Sequence, residues 1–388
     1  MRRTLDRDIF TKLTILSAIQ FLRLSGVFFV IPVLAIYASK FTSSGFLIGM
    51  AIAAYEISMA IMQIPSGRLS DRIGRINTIR IGLSIFFIGN LMSFFSTNIY
   101  ELIFSRFIAG LGAVSSPVTA LSQEIVPPER KNTAMAIVGS GIGIAFLSGT
   151  AFSPLLGYAI HIRNIFLLSS IMAILAIAMI SRFKEERRAS FLEKINISRN
   201  TLVISLGSFL FSIASFLVIY TIQIYAGVNF GILDYGIILI IPVLLSGIIA
   251  IYVSEVYGRK RKINFLKSSS LSITAGMVIT FAGIALKLPF PVISLFLIPF
   301  FVGFSLYEIS TVPELTRAIR KQSYGSNIGF FYALQFMGNA SGSLIGGLIG
   351  GSDITQNSAI ILGMCGFLVS LAGTLIFIYA SIGGKPLQ

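Results

Sequence analysis

Charge is the first thing this sequence has little of. Only 12% of its 388 residues are Asp, Glu, Lys or Arg, about half the share that covers a soluble domain. A chain of this length cannot hide that deficit within one water-soluble core. An ordinary cytosolic enzyme, a disordered chain and a nucleic-acid binder with an apolar core are therefore excluded. Cysteine is nearly absent: Cys365 stands alone inside an apolar run, which excludes a disulfide framework and a thiolate metal cluster. One histidine excludes a site built from several imidazoles. No Walker motif, paired-Asp motif, His/Glu metal spacing or nucleophile elbow occurs, so ATP is not the expected fuel, no cofactor is expected, and a membrane-embedded lipid enzyme lacks its chemistry.

What is abundant is apolar. Hydrophobic residues make up 55% of the chain, and they fall in runs long enough to cross about 30 Å of hydrocarbon. These runs lie at about 12–38, 45–66, 78–97, 101–124, 133–160 and 164–181, then at about 201–226, 235–254, 264–286, 291–315, 326–350 and 358–382. The first is too long for a cleaved signal peptide and carries Arg23. The expected fold class is an all-α membrane protein of twelve transmembrane helices.

The net charge of +15 is explained by where the basic residues sit. Of 30 Lys and Arg, 25 fall in loops on one side, whereas only Lys40, Arg163 and Lys287 fall on the other. That asymmetry predicts cytoplasmic N- and C-termini and linker in the plasma membrane, with anionic lipid headgroups against the basic face. It also removes nucleic acid as an expected partner.

The halves repeat each other. Phe21–Ala38 and Phe209–Ala226 share eight of eighteen positions at an offset of 188. SDRIGR (Ser70–Arg75) is echoed by SEVYGR (Ser254–Arg259), and Gly149, Leu155 and Gly157 by Gly338, Leu344 and Gly346. The expected organisation is two pseudo-symmetric six-helix bundles, 1–181 and 201–388, joined by a cytoplasmic linker at 182–200. That linker carries Phe191, Leu192 and Ile195 on one side of a candidate surface helix.

Three motifs carry a family resemblance. GRLSDRIGRIN (Gly67–Asn77) resembles the signature between the second and third spans of the major facilitator superfamily. RFIAGLGA, from Arg106 through Gly110 and Gly112, resembles its fourth-span signature. GTAFSPLLG (Gly149–Gly157) is similar to the fifth-span signature of its drug/proton antiporters, with Ser153 and Tyr158 in place of glycines. The first span from Arg23 is similar to the YajR-type branch. The resemblance covers all twelve spans and implies the major facilitator fold. It also implies a small-molecule substrate, a latch at the Gly67–Asn77 signature that joins the halves when the transporter opens outward, a central cavity lined by the first, second, fourth and tenth spans, and a proton-linked role for Arg106.

The motif residues have physical roles of their own. Gly67 and Gly74 are expected to let the chain turn tightly between helices. Asp71 is expected past the end of the second helix, where another helix N-terminus can stabilise it. Arg72 and Arg75 supply charge-assisted partners, with Glu124 an acceptor; Glu255 and Arg259 repeat the pattern. Pro32 and Pro154 are expected to kink their helices. Gly110, Gly112, Gly149, Gly157, Gly342 and Gly346 are expected to allow close helix packing.

Four ionisable residues fall within spans: Arg23, Glu56, Arg106 and Glu308. Each costs at least about 2.5–3.5 kcal/mol to insert, so each is expected to face a cavity and a partner. Glu56 reads as a proton carrier and Glu308 as a substrate group, or both as fixed salt bridges locking helices. Arg23 reads as orienting a carboxylate or binding an anionic substrate group. Gln20, Gln63, Tyr37, Tyr55, Tyr307, Gln335 and Asn339 add polar tips to the expected cavity, and interhelical hydrogen bonds are their simplest use.

The expected function is a monomeric secondary transporter, not an enzyme, driven by protons and exporting hydrophobic or cationic small molecules. Proton-coupled uptake of a sugar, organic acid or peptide, and lipid flipping, are the alternatives.

Overall fold

The computed structural model describes residues 7–112, 114–127, 130–183, 197–258, 265–317 and 324–383. These form fourteen α-helices: α1 (Arg7–Phe28), α2 (Ile31–Ala38), α3 (Gly45–Ile73), α4 (Arg75–Phe95), α5 (Ile99–Leu111), α6 (Ser115–Glu124) and α7 (Lys131–Ile160), then α8 (Ile162–Ile180), α9 (Arg199–Asn229), α10 (Gly231–Gly258), α11 (Phe265–Ala285), α12 (Phe290–Arg317), α13 (Tyr324–Gly350) and α14 (Gln356–Gly383). The expected all-α architecture is what forms. Arg259 and the linker residues 184–196, with the candidate surface helix, lie outside the described residues.

Fourteen helices arise from twelve apolar runs because two runs break in the middle. Pro32 lies in the first turn of α2, where its missing N–H costs nothing, and the chain bends ahead of it. The Phe29 carbonyl in the break accepts from the Ser153 hydroxyl at 2.6 Å, and the Pro32 carbonyl of α2 also accepts from the Tyr235 hydroxyl at 3.2 Å. The fourth run breaks where Gly112 closes α5, and Ser115 opens α6. Pro154, by contrast, lies inside an unbroken α7, so it does not divide its helix.

Eleven stretches among the described residues are long and apolar enough to cross a membrane, counting each broken run as one. The helix outside that set is α13, 27 residues long, in which Gln335, Asn339 and three serines dilute the apolar character. Gln335 and Asn339 belong to the site described below.

Gly74 terminates α3 and precedes α4 with φ 96°, a conformation that costs a β-carbon-bearing residue dearly. Gly67 is different from expectation. It lies within α3, and its role is proximity: a β-carbon there would stand 3.3 Å from the Ser116 hydroxyl of α6. Asp71 likewise lies in the last turn of α3 rather than beyond it.

Two seams join helices from the two ends of the chain. In the first, α3 packs along α13 at backbone distance, with Gly45 against Gly347 and Gly49 against Ser343. At the end that carries Gly74 the same seam is looser, and a β-carbon on Gly329 would lie 3.6 Å from Ile64. In the second, α7 packs along α10, where a β-carbon on Gly236 would meet the Leu155 nitrogen at 3.1 Å; Gly139 and Gly143, toward the Gly74 end, face nothing within 4 Å. Between the seams, the Ala35 amide of α2 donates to Gln223 Oε1 of α9 at 3.0 Å. These residues are 188 apart, the offset of the sequence repeat. Both seams are thus tightest away from the Gly74 turn and looser toward it.

Small residues permit this, since without water between helices the attraction is close van der Waals contact. Gly49→Ala forces a methyl to within 2.5 Å of the Ser343 carbonyl and is expected to destabilise by about 1–3 kcal/mol. Gly139→Ala, in open space, is expected to be neutral or to stabilise by about 0.5–1 kcal/mol through helix propensity. Thermal unfolding of the detergent-solubilised protein separates the two; equal shifts would mean that the seam is not tight.

Candidate functional site

Two carboxylates sit near the middles of α3 and α12, and one helix holds both. Glu56 is 3% exposed and accepts from Asn339 Nδ2 at 3.1 Å. Glu308 accepts from Gln335 Nε2 at 2.8 Å and is exposed. Gln335 and Asn339 are one helical turn apart, so both amides leave the same face of α13. A hydrogen bond to a charged group contributes about 1.5–3 kcal/mol, and both amides require α13 to keep its register against α3 and α12. The two carboxylates differ in surroundings: Glu56 is sealed within the α3–α13 seam, whereas Glu308 meets open space.

The arginines do not pair with them. Among the described residues no carboxylate lies within 4.0 Å of Arg23 or Arg106, so the fixed-salt-bridge alternative is not what forms. Arg106 is 1% exposed, donates to Asn90 Oδ1 at 3.4 Å, and lies 4.6 Å from the centroid of the Tyr55 ring and 6.0 Å from that of Phe166. A desolvated cation–π contact of this kind contributes about 2 kcal/mol. Arg23 is fully buried; it donates to the Ser115 hydroxyl at 3.1 Å and to the Met59 sulfur at 3.3 Å.

The remaining polar positions divide. Gln20 and Gln63 are each 1% exposed, on α1 and α3. Tyr55 lies between the two arginines. Tyr37 sits elsewhere, at the end remote from Gly74, with its ring 5.1 Å from Phe41 and 5.6 Å from Phe166. Tyr307 also leaves the cavity: its ring lies 4.2 Å from Phe211 of α9, because it follows a different face of α12 from Glu308. Phe304, one turn before Glu308, stacks on Phe146 of α7 at 5.2 Å, and Phe146 meets Phe28 of α1 at the same distance. This aromatic wall beside Glu308 was not legible among 33 phenylalanines, because a lipid-facing ring and a cavity-facing ring look alike in sequence. Ser115, Met59 and Asn90, the partners of the arginines, were also missed; Asn90 alone carried a signal, a polar residue inside an apolar run.

At the Gly74 turn a second cluster forms. Arg75 pairs with Asp71 at 2.6 Å and with Glu124 of α6 at 2.9 Å, and also bonds the Ser70 hydroxyl. The expected Glu124 acceptor is used, by Arg75; Arg72 is exposed, as is Glu255. These partners tie α3, α4 and α6 to one another.

Glycines expected to serve packing do so. A β-carbon on Gly110 would strike the Tyr55 carbonyl of α3, and one on Gly112 would meet Phe86 of α4. Gly149 faces Phe28 and Gly157 faces Ile232; Gly342 and Gly346 of α13 face Phe216 and Tyr220 of α9.

This helical membrane architecture, with its carboxylates and arginines at mid-helix, is that of a transporter. The model of the Major Facilitator Superfamily matches residues 16–346, and the chain belongs to that family. It is 30% identical over 357 residues to an uncharacterized transporter of Buchnera aphidicola subsp. Baizongia pistaciae, covering 84% of this chain and 87% of the relative. It is 34% identical over 165 residues to the inner membrane transport protein YajR of Escherichia coli, covering 42% of this chain and 36% of the relative. The quinolone resistance protein NorA of Staphylococcus aureus is 28% identical over 386 residues, covering 92% and 93%. The human organic anion transporter MFSD10 shares the fold, with a TM-score of 0.71 at 16% identity, over 97% of this chain and all of that one. The protein is a multi-pass membrane transporter.

Arg75→Ala and Glu124→Ala, singly and together, test the turn cluster. Because Glu124 is 36% exposed, a coupling energy of about 0.5–1 kcal/mol is expected from the double-mutant cycle. A coupling near zero would show that the ion pair holds nothing.

Proposed function

We propose that this transporter is proton-coupled and exports hydrophobic or cationic small molecules by alternating access. In this reading twelve spans form two six-helix bundles, residues 1–181 and 201–388, which rock about the α3–α13 and α7–α10 seams. Both termini lie in the cytoplasm of a monomer in the plasma membrane, with anionic lipids against the basic face. The Gly74 end is then cytoplasmic, and seams that open toward it correspond to an inward-facing arrangement.

The observation that carries the reading is the pair of amides on α13. Glu56 is sealed where the two bundles meet, and its partner Asn339 belongs to the other bundle. Protonation removes its charge and half its accepting capacity, which weakens its hold on Asn339 and frees the seam to move. Glu308, exposed beside Phe304 and Phe146, offers a carboxylate to a cationic group and an aromatic wall to an apolar body. Arg106 is buried on the same side of α3 as Tyr55 and carries no ion pair with Glu56. The Asp71–Arg75–Glu124 cluster acts as the latch that steadies the Gly74 end when the bundles close there. The chain's likeness to a quinolone resistance protein supports export. Uptake of a small metabolite by the same cavity is the alternative, and the direction of flux decides it.

The test is reconstitution in liposomes that contain a pH-sensitive dye, with gradients of compounds from a panel of apolar, cationic and metabolite classes. Wild type is expected to move protons with at least one apolar or cationic compound. Glu56→Gln is expected to abolish pH movement, and Glu308→Gln to reduce transport of cations at least tenfold. If no transported compound moves the pH, proton coupling is wrong; if neither variant alters transport, the roles of the carboxylates are wrong.

A further inference from the structure

The first six helices bury more positive charge than negative, and the excess is gathered at one place. Arg23 of α1 is fully enclosed, yet Nη2 donates to the Met59 sulfur and Nη1 to the Ser115 hydroxyl, while Nε has no partner. A thioether is a weak acceptor and a hydroxyl carries no charge, so neither compensates a guanidinium removed from water. Glu56 is taken by Asn339 from the opposite bundle.

More unspent polar atoms surround this arginine. Gln63 lies one turn along α3 from Met59, and neither its oxygen nor its nitrogen has a partner. Gln20 lies one turn along α1 from Arg23, and its oxygen has none. All three side chains are at least 99% enclosed, where an unmet hydrogen bond is costly and structures rarely tolerate one without a use. Ser115, the contact of Arg23 on the third side, is the first residue of α6, the half-helix that starts at the break in the fourth run. The unpaired N–H groups at such a start present partial positive charge. A guanidinium and a helix start therefore meet where Arg23 of α1 touches Ser115 of α6, with Gln63 of α3 one turn from the Met59 that Arg23 also touches, and no acidic residue lies within salt-bridge distance of the arginine among the described residues.

We propose that this cluster is an anion subsite and that the cargo carries a carboxylate, read by Arg23 with Gln63 and Ser115. The inference rests on the transport reading and narrows its cargo to amphiphiles whose anionic end lies here; a cationic group, where one is present, lies at Glu308. A carboxylate matches the guanidinium fork with two parallel hydrogen bonds and displaces the flexible Met59 side chain, whose sulfur holds the place of a stronger acceptor. Phosphate and sulfate monoanions share part of this chemistry, and the same assay ranks them.

The experiment uses matched pairs. Binding of 4-phenylbutyrate and of 4-phenylbutyramide, with their naphthyl homologues, is measured on the full-length protein in detergent by competitive thermal stabilisation, alongside methyl phosphonate and sulfonate analogues. Wild type is expected to bind each carboxylate at least tenfold more tightly than its amide. Arg23→Gln is expected to erase that ratio while amide binding persists, and Arg23→Lys to retain only part of it. If Arg23→Gln does not fold, Gln63→Leu is the deciding variant, with a fall in the ratio of several-fold expected. A wild-type ratio near one overturns the subsite, as does a ratio unchanged in Arg23→Gln, or in Gln63→Leu where that variant decides. Binding is read without transport, so the subsite stands even if no pH movement is found, whereas proton-coupled transport of neutral cargo alone with a ratio near one sinks the subsite and spares the transport reading.

Discussion

Everything in this transporter's centre depends on one face of one helix. Gln335 and Asn339, one turn apart on α13, hold Glu308 of α12 and Glu56 of α3. Among the described residues neither carboxylate has an arginine within pairing distance, so the amides define where each sits. The polar cost of α13 shows in its composition: it falls short of the apolarity of the other span-length helices. An amide is well suited to this position. It binds a carboxylate strongly enough to fix it, and in the proposed cycle that hold weakens when the carboxylate gains a proton or a cargo.

That arrangement requires α3 and α13 to approach at backbone distance, which is the work of Gly45, Gly49 and Gly347. In lipid, association is driven by contact and geometry rather than by expulsion of water, so removing side chains is how two helices gain surface in common. The same helices pack less tightly toward the Gly74 turn. At the remote end the Ala35–Gln223 hydrogen bond joins residues 188 positions apart, the repeat offset, as expected of a contact on the axis that relates two copies of one motif.

Much of this was legible beforehand. The apolar helices, the four ionisable residues within them and Glu124 as an acceptor for an arginine of the loop were readable because hydrocarbon penalises charge so heavily that each exception stands out. Where expectation failed, it failed locally. Gly67 and Asp71 were read as turn residues although α3 runs on to Ile73, because an apolar run ends before its helix does. Tyr307 was placed in the cavity beside Glu308, yet adjacent residues on a helix point about 100° apart, and Tyr307 turns to Phe211. Tyr37 lies among aromatic rings at the remote end.

By itself the sequence determined that this chain crosses a membrane many times, which face is basic, and which few charges need a reason, since these follow from composition and spacing against a solvent that tolerates little polarity. Only the tertiary structure decided the partners. Glu56 meets Asn339 across 283 positions, and Arg23 meets Ser115 across 92. Such pairings depend on the rotation and register of helices packed through glycines, a matter of shape that no run of residues records. The scarcity of charge with which the sequence begins thereby acquires its meaning: two acids are held by neutral amides, and two buried arginines have no carboxylate within pairing distance among the described residues, in a fold that has room for very few of either.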